Sequence, residues 1–523
     1  MNAAVMPARR RHFRAGNFFE LRERQINLRF VNTPAAANAR RNEVRLVCLI
    51  SLLAALHVYI FTAAFPFFNS VDEQLHFDLA VRYSEAHVPR RLEPLSPEAI
   101  RYIVLFSSHA YLSDAASLPP PLWIQPAESV RPQIAANVEQ WQNISSTEST
   151  QPPLYYAVAG VWWNTGKLLG LAGGHLLYWL RFLNIPLVAA TVWLGWLAAR
   201  KVFPESFFAR MTVPAVIAFM PQTAFYAINN DILAPVVFGA AFLLLLELGE
   251  AEIPSGRLAA SLGLALAATF LTKISTLPML AVSVLFLAAK NLEILRQGKM
   301  RPAIFPMLAL VFCTLLPVLA WMLWCKANYG DLTGSAVKVQ KLGWTVRPPA
   351  QWTQHPIFSA HGLWVFVGDN LATFWQGEFW WQRQPLALPG LDLFYKLLTP
   401  VLLALAVGRI LKSRLGETRS ALIFSLACWA ASLGFFALLS VKYDFQDCFY
   451  PSRTHPFFTS GRLFLGLLIP ILILLAGGLD FGLQKISEKA KFLILFAWLA
   501  IMFAGETALD WRVFACEYNW YHL

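Results

Sequence analysis

Charge is scarce in this chain. Only 14% of its 523 residues are Asp, Glu, Lys or Arg and 57% are hydrophobic, where soluble proteins carry about 25% charged residues. That excludes an ordinary soluble enzyme and points to a polytopic membrane protein. Acids are scarcer than bases, 31 against 43, for a net charge of +12. The excess is uneven: residues 1–45 carry ten Arg against Glu20, Glu23 and Glu43 alone. A nucleic-acid-binding arm has a similar composition, but beside a first apolar run such a tail marks a cytoplasmic flank with some attraction to anionic lipid. Nucleic acid is therefore not an expected partner. No cleavable signal peptide is expected, because the first apolar run begins late and has no clear small-residue cleavage site. Cysteine is rare too. Cys48, Cys313, Cys325 and Cys428 lie in apolar runs and are expected to be inert packing residues. Cys448 and Cys516 fall in segments expected outside, where a disulfide between them stays open. No repeated half of the kind many transporters carry is visible.

What is abundant is apolar runs, at about 20 residues per bilayer crossing. They occur near 46–68, 176–199, 212–228, 232–248, 258–272, 276–289, 303–325, 393–411, 420–441, 462–480 and 492–510. Basic clusters belong on the cytoplasmic side. Arg200/Lys201/Arg210, Lys290/Arg296/Lys299/Arg301, Arg409/Lys412/Arg414/Arg419 and Lys485/Lys489/Lys491 therefore predict about eleven helices, with the N-terminus cytoplasmic and the C-terminus external. A further run, 154–171 (LYYAVAGVWWNTGKLLGL), would reverse every later loop if it crossed. It is expected to be interfacial or re-entrant, the alternative being a full span with a compensating extra helix. The organisation is then a basic tail (1–45), a membrane module (46–325) containing an external loop (69–175), a Trp-rich external loop (326–392) and C-terminal helices (393–523).

Long loops are usually functional or disordered. The second loop, with Trp344, Trp352, Trp364, Trp375, Trp380 and Trp381, is too aromatic for disorder. Polar residues converge on the outer side. NSVDEQLHFD places Asp72, Glu73 and His76 just past the first apolar run, where acids beside lipid are rarely kept without a use. A solvated loop with Asp72 as a helix cap would look the same. YAINNDILAP puts Asn230 and Asp231 in a tight external turn, Lys273 ends one span, and Arg462 opens another. Carboxylates can act as general bases or hold a divalent ion such as Mg or Mn, with Asp72 and Asp231 the candidates. Lys273 and Arg462 suit a phosphate, although snorkelling explains such residues as well. In FWQGEFWW, Trp380 and Glu378 could touch a sugar, or simply belong to an interfacial belt.

VDEQLHF, QPPLYY (151–156), NNDILA, FWQGEFWWQRQPLALPG and SGRLFLGLLIPILILLAGG, in that order, resemble the GT-C superfamily of integral-membrane glycosyltransferases. The branches in view are protein mannosyltransferase-like, aminoarabinose-transferase-like and uncharacterised bacterial members. The likeness covers about residues 46–480. It implies a sugar donor carried on polyprenyl phosphate, a glycan, lipid or protein acceptor, a site on the external (periplasmic) face of a bacterial inner membrane, and Asp72 as base. Gln151 stands where the family often has His or Lys, so another cation must meet the donor phosphate. Lys273 and Arg462 are the candidates, with Gln151 and Tyr155 as further substrate contacts. Three alternatives remain: a lipid-linked sugar transporter or flippase, a polysaccharide polymerase or ligase, and a non-catalytic membrane assembly protein.

Overall fold

The computed structural model describes residues 34–68, 72–108, 120–381, 384–413, 416–448 and 450–523. Most of the basic tail lies outside the described residues. The chain divides into two units between Leu49 and Ile50. Among the described residues nine helices are long and apolar enough to cross a membrane: Arg40–Ala64, Gly173–Val202, Asn230–Glu250, Ile274–Arg296, Met300–Tyr329, Pro389–Lys412, Glu417–Lys442, Gly461–Gly482 and Glu488–Phe514. Of two shorter apolar helices, Gly256–Thr272 falls on one remaining expected run, and Phe207–Phe219 overlaps only the first half of the 212–228 run, whose second half holds the short helix Thr223–Tyr226. The chain is thus an all-α polytopic membrane protein. Its only described strands form two short antiparallel ribbons, Thr345–Val346 with Tyr443–Asp444 and Phe379–Trp381 with Gln384–Leu386.

Within Ile50–Leu523 the apolar helices run alternately between two ends. At one end Lys201 meets Glu250 at 2.6 Å, Lys290 donates to the Gly249 carbonyl at 3.1 Å, and Arg409 and Lys491 both reach Asp480, at 3.0 and 3.1 Å. At the other end the first span runs into the 73–84 helix, Tyr329 closes the 300–329 helix against the first loop, and Arg462 opens the 461–482 segment. The helix Leu468–Gly482 is buried on nearly every side, as a stretch that is apolar all round should be. A Cβ on Gly478 would fall 2.2 Å from the Leu402 carbonyl oxygen, so the glycine lets the 389–412 backbone close onto it, the usual use of small residues between membrane helices. The 300–329 helix is the opposite case, only 11% buried over its most apolar window. Its exposed Phe305, Leu308, Phe312 and Leu323 suit lipid contact.

The 154–171 run forms Leu154–Leu168, a 15-residue helix that is not among the long apolar ones. It lies on Glu73–Ser84: Gly160 abuts the Ser84 backbone, and Asn164 Nδ2 donates to the Ser84 carbonyl at 2.8 Å. Its polar residues thus brace the first loop. Cys448 and Cys516 are both free thiols, and Cys516 is buried, so the structure does not contain the disulfide that the sequence left open.

Candidate active site

Asp72 and Glu73 are adjacent in sequence and have different surroundings. Glu73 is fully buried and accepts from Arg181 Nε and Nη2, both at 2.7 Å, and from the backbone N–H groups of Phe68 and Ile228, both at 2.9 Å. Arg181, also fully buried, donates to the Phe65 and Pro66 carbonyls and lies 4.5 Å from the Phe67 ring centroid. Every oxygen lone pair that matters on Glu73 is used, which is what burying a charge requires. Asp72 is held in the left-handed region, at φ 61°, where its carbonyl accepts from Leu75 and His76 N–H and its side chain caps nothing. Aspartate tolerates that backbone better than most residues. The conformation leaves the carboxylate half-buried, without a side-chain hydrogen bond among the described residues. His76 follows one turn later, buried, with Nδ1 2.7 Å from Tyr156 Oη. Burial pushes its imidazole below the usual pKa. The Lys273 and Arg462 charges push the same way, and together they outweigh Glu148 and Asp72. His76 is therefore uncharged at neutral pH.

The second acidic turn is built by its own amides. Asn229 Oδ1 accepts from Asp231 N–H at 2.9 Å, and Asn230 Nδ2 donates to the Thr272 carbonyl at 3.2 Å and to Gln151 Oε1 at 3.1 Å. This sets Asp231 between two cations. Lys273 bonds Oδ1, and Arg462 Nη1 lies 3.4 Å from Oδ2. Arg462 also approaches Glu378 at 3.6 Å, and the Ser460 hydroxyl donates to the same Glu378 oxygen. Gly461 makes this possible: a Cβ there would stand 2.0 Å from Phe374 N, and Gly461 N–H donates to Thr373 Oγ1 at 2.8 Å. Burial, with the Asp231 charge acting the same way, raises the Glu378 carboxyl above its ordinary range despite Arg462 and Ser460. Lys273, Arg462 and Glu378 keep 12%, 16% and 16% of their side-chain surface open to water, so the cluster is recessed but not sealed.

Two members of this site carry no mark in the sequence. Glu148 is 3% exposed; Gln151 Nε2 donates to its Oε2 at 2.6 Å and Lys338 to its Oε1. Burial alone would raise the Glu148 carboxyl, but the Lys338 charge and these two hydrogen bonds outweigh it and hold it below the usual range. The charge of Asp72 acts on His76, Lys338 and Arg462 alike. The predicted residues Asp72, His76, Gln151, Asn230, Asp231, Lys273, Glu378 and Arg462 thus come together, joined by Glu148 and Lys338. Tyr155 is buried edge-on to Tyr156 at 5.3 Å. Trp380 is half-buried in the 379–386 ribbon. Trp375 is a packing residue, stacked on Tyr395 with Nε1 on Thr399 Oγ1 at 2.8 Å.

Among the described residues no three His, Cys, Asp or Glu side chains gather as a metal-holding group. The Asp231 oxygens are taken by Lys273 and Arg462, so the residues as arranged do not offer Asp72 and Asp231 jointly to a divalent ion. Glu506 and Asp510 lie in the last span, where Glu506 meets His57 Nε2 at 2.7 Å and accepts from Tyr226 Oη.

Residues 55–443 match the family described as Predicted membrane protein (DUF2142), and the chain belongs to that family. No curated protein matches it. Two solved structures similar to it are oligosaccharyltransferases of Archaeoglobus fulgidus. The one in complex with Zn and sulfate is 14% identical, with a TM-score of 0.40, over 70% of this chain and 44% of that one. The other, AglB with an inhibitory peptide and a dolichol-phosphate, is 11% identical, with a TM-score of 0.37, over 89% and 56%. The chain spans about half the length of either.

Proposed function

We propose that this chain is an integral-membrane glycosyltransferase that moves a sugar from a polyprenyl-phosphate donor to an acceptor hydroxyl. The observation that carries the proposal is the juxtaposition, where the spans end, of a carboxylate without a side-chain hydrogen bond among the described residues (Asp72) and a recessed pair of cations (Lys273 and Arg462), with the Asp72 charge acting on Arg462. An amphiphilic phosphorylated substrate needs a phosphate-binding pair and a base near the ends of the spans, and these residues supply both. Asp72 takes the acceptor proton. The acceptor oxygen bonds to the sugar's anomeric carbon, and the bond from that carbon to the phosphate oxygen breaks. Lys273 and Arg462 stabilise the departing polyprenyl phosphate, where a preorganised charge acts most strongly. Glu378, its pKa raised by burial, accepts or donates a hydrogen bond to a sugar hydroxyl. Arg409, Lys201, Lys290 and Lys491 lie at the opposite end, which under the positive-inside rule supports an external site. The donor class, the base and the face are this proposal's own.

The test is turnover by purified protein in lipid nanodiscs, given polyprenyl-phosphate-linked sugars and a mixed acceptor pool. Donor-dependent release of polyprenyl phosphate is the expected result. The same preparation in sealed vesicles separates a translocase. That second reading draws on the buried His57–Glu506 pair beside Asp510, since ionisable groups inside spans often line transport paths. Movement of donor across the vesicle without cleavage would replace the transferase with it.

A further inference from the structure

The site holds a third cation, Lys338, from a different loop and with a different kind of partner. Its segment is framed by Gly330 and Gly343, at φ +87° and +70°, where a Cβ would meet no atom within 4 Å. Between them Asp331 accepts from the Thr333 and Ala336 N–H groups and nucleates Ser335–Lys341, which carries Lys338. Gly334 seats that helix against Thr150, and Tyr329 Oη donates to the Ser149 carbonyl at 2.8 Å. The second loop is thus docked on the end of the first, directly before Gln151.

The three cations differ in how easily they can be freed. Lys273 and Arg462 share one carboxylate, Asp231, and each holds one of its oxygens. Removing either uncovers a buried charge. Lys338 is the most open of the three, at 29% exposed, and its partner Glu148 keeps a second bond from Gln151 at 2.6 Å when the lysine leaves. The Asp72 charge also acts on Lys338 electrostatically.

We propose that Lys338 is a phosphate-binding residue of this site, parked on Glu148 at rest and transferred to the anionic group of the lipid-linked substrate when it enters. The inference rests on the proposed donor class and names one residue of its recognition. Lys338 exchanges one oxygen anion for another. Glu148 stays held by Gln151, and the 331–343 segment moves only as far as a lysine side chain reaches. The cation that the family resemblance expects at position 151 is then provided in space by residue 338.

The probe is a short-chain polyprenyl phosphate, with the matching polyprenol as the uncharged control, each titrated against the full-length protein in detergent. A charge-assisted hydrogen bond predicts that Lys338→Gln loses about tenfold or more in affinity for the phosphate and none for the alcohol. Glu148→Gln keeps the Gln151 contact within reach and frees the lysine, so it binds the phosphate more tightly than the native protein. A purely structural pair gives a different pattern: both variants melt lower and both bind the phosphate less well, which overturns the proposal. So does an unchanged preference for phosphate over alcohol in Lys338→Gln. A native protein that binds phosphate no better than alcohol overturns the donor class itself, a failure distinct from that of Lys338 alone.

Discussion

Two buried carboxylate–guanidinium contacts lie close together in this protein, and they are built for opposite ends. Glu73 and Arg181 are fully buried, and between them they take up three peptide carbonyl or N–H groups of the first span's exit as well as Ile228 N–H. Asp231 and Arg462 are 3.4 Å apart, share the carboxylate with Lys273 and leave the cations partly open to water. The first arrangement satisfies every group and admits nothing further. The second leaves donors to spare for an incoming anion. The sequence neighbours Asp72 and Glu73 fall on either side of that divide, parted by the left-handed backbone of Asp72.

The sharpest way to break the comparison is to neutralise each neighbour in turn. Asp72→Asn should fold and melt normally while turnover falls about 10²–10⁴-fold, the usual cost of losing a general base. Glu73→Gln should do the reverse and destabilise by about 3–5 kcal/mol, because Arg181 is left buried without its counter-charge. Yield and melting temperature of the two variants, measured side by side, decide this. A stable, inactive Glu73→Gln beside an active Asp72→Asn would exchange their roles.

The next effect is on binding. Arg462→Gln and Lys273→Met should each weaken polyprenyl-phosphate binding about tenfold or more, whereas substitutions of Lys201 at the other end should leave it alone. Equal affinities across all three would return Lys273 and Arg462 to ordinary helix-end residues.

A smaller effect is on stability against pH. His76 has its pKa lowered from 6.5 by burial and by the Lys273 and Arg462 charges, against Glu148 and Asp72. Below about 6.5 the unfolded chain takes up more protons at this position than the folded one, so stability falls as pH drops through that value and is fully present above it. The Glu148 contribution has a separate window. Its folded pKa lies below 4.5, so its share is lost only under stronger acid. Melting curves from about pH 8 to 5.5 should show the first slope, and His76→Gln should flatten it. A native protein that melts at one temperature throughout that range would contradict an uncharged His76.

The least effect is expected at Trp380. As a substrate contact, Trp380→Ala raises the donor or acceptor KM at an unchanged melting temperature. As a member of an interfacial belt, it melts lower with normal KM. Both quantities come from one preparation.

The spans were legible because burial in lipid demands uninterrupted apolar stretches, and each expected run meets an apolar helix, the 212–228 run over its first half only. Asp231, Lys273 and Arg462 were legible as polar residues at the ends of those runs. Glu148 and Lys338 were not. They are 190 positions apart, each looks like an ordinary loop charge, and only the docking of one loop on the other makes them a pair. Arg181 and Glu506 left a signal that composition hides: each is a charge inside an apolar run, and such charges need partners. The partners, Glu73 and His57, lie 108 and 449 positions away. The family model covers residues 55–443, so Arg462 and Glu506 lie beyond the matched stretch.

The Glu73–Arg181 contact also ties the second acid of the site to earlier parts of the chain. Its first members, from the Phe65 carbonyl to the Arg181 guanidinium, lie before residue 182. All of these groups precede the Asn229–Asp231 turn in the chain. Ile228 N–H docks on the same contact, and it carries the turn with it. The position of the second acid of the site thus rests on a contact whose other members all precede it in the chain.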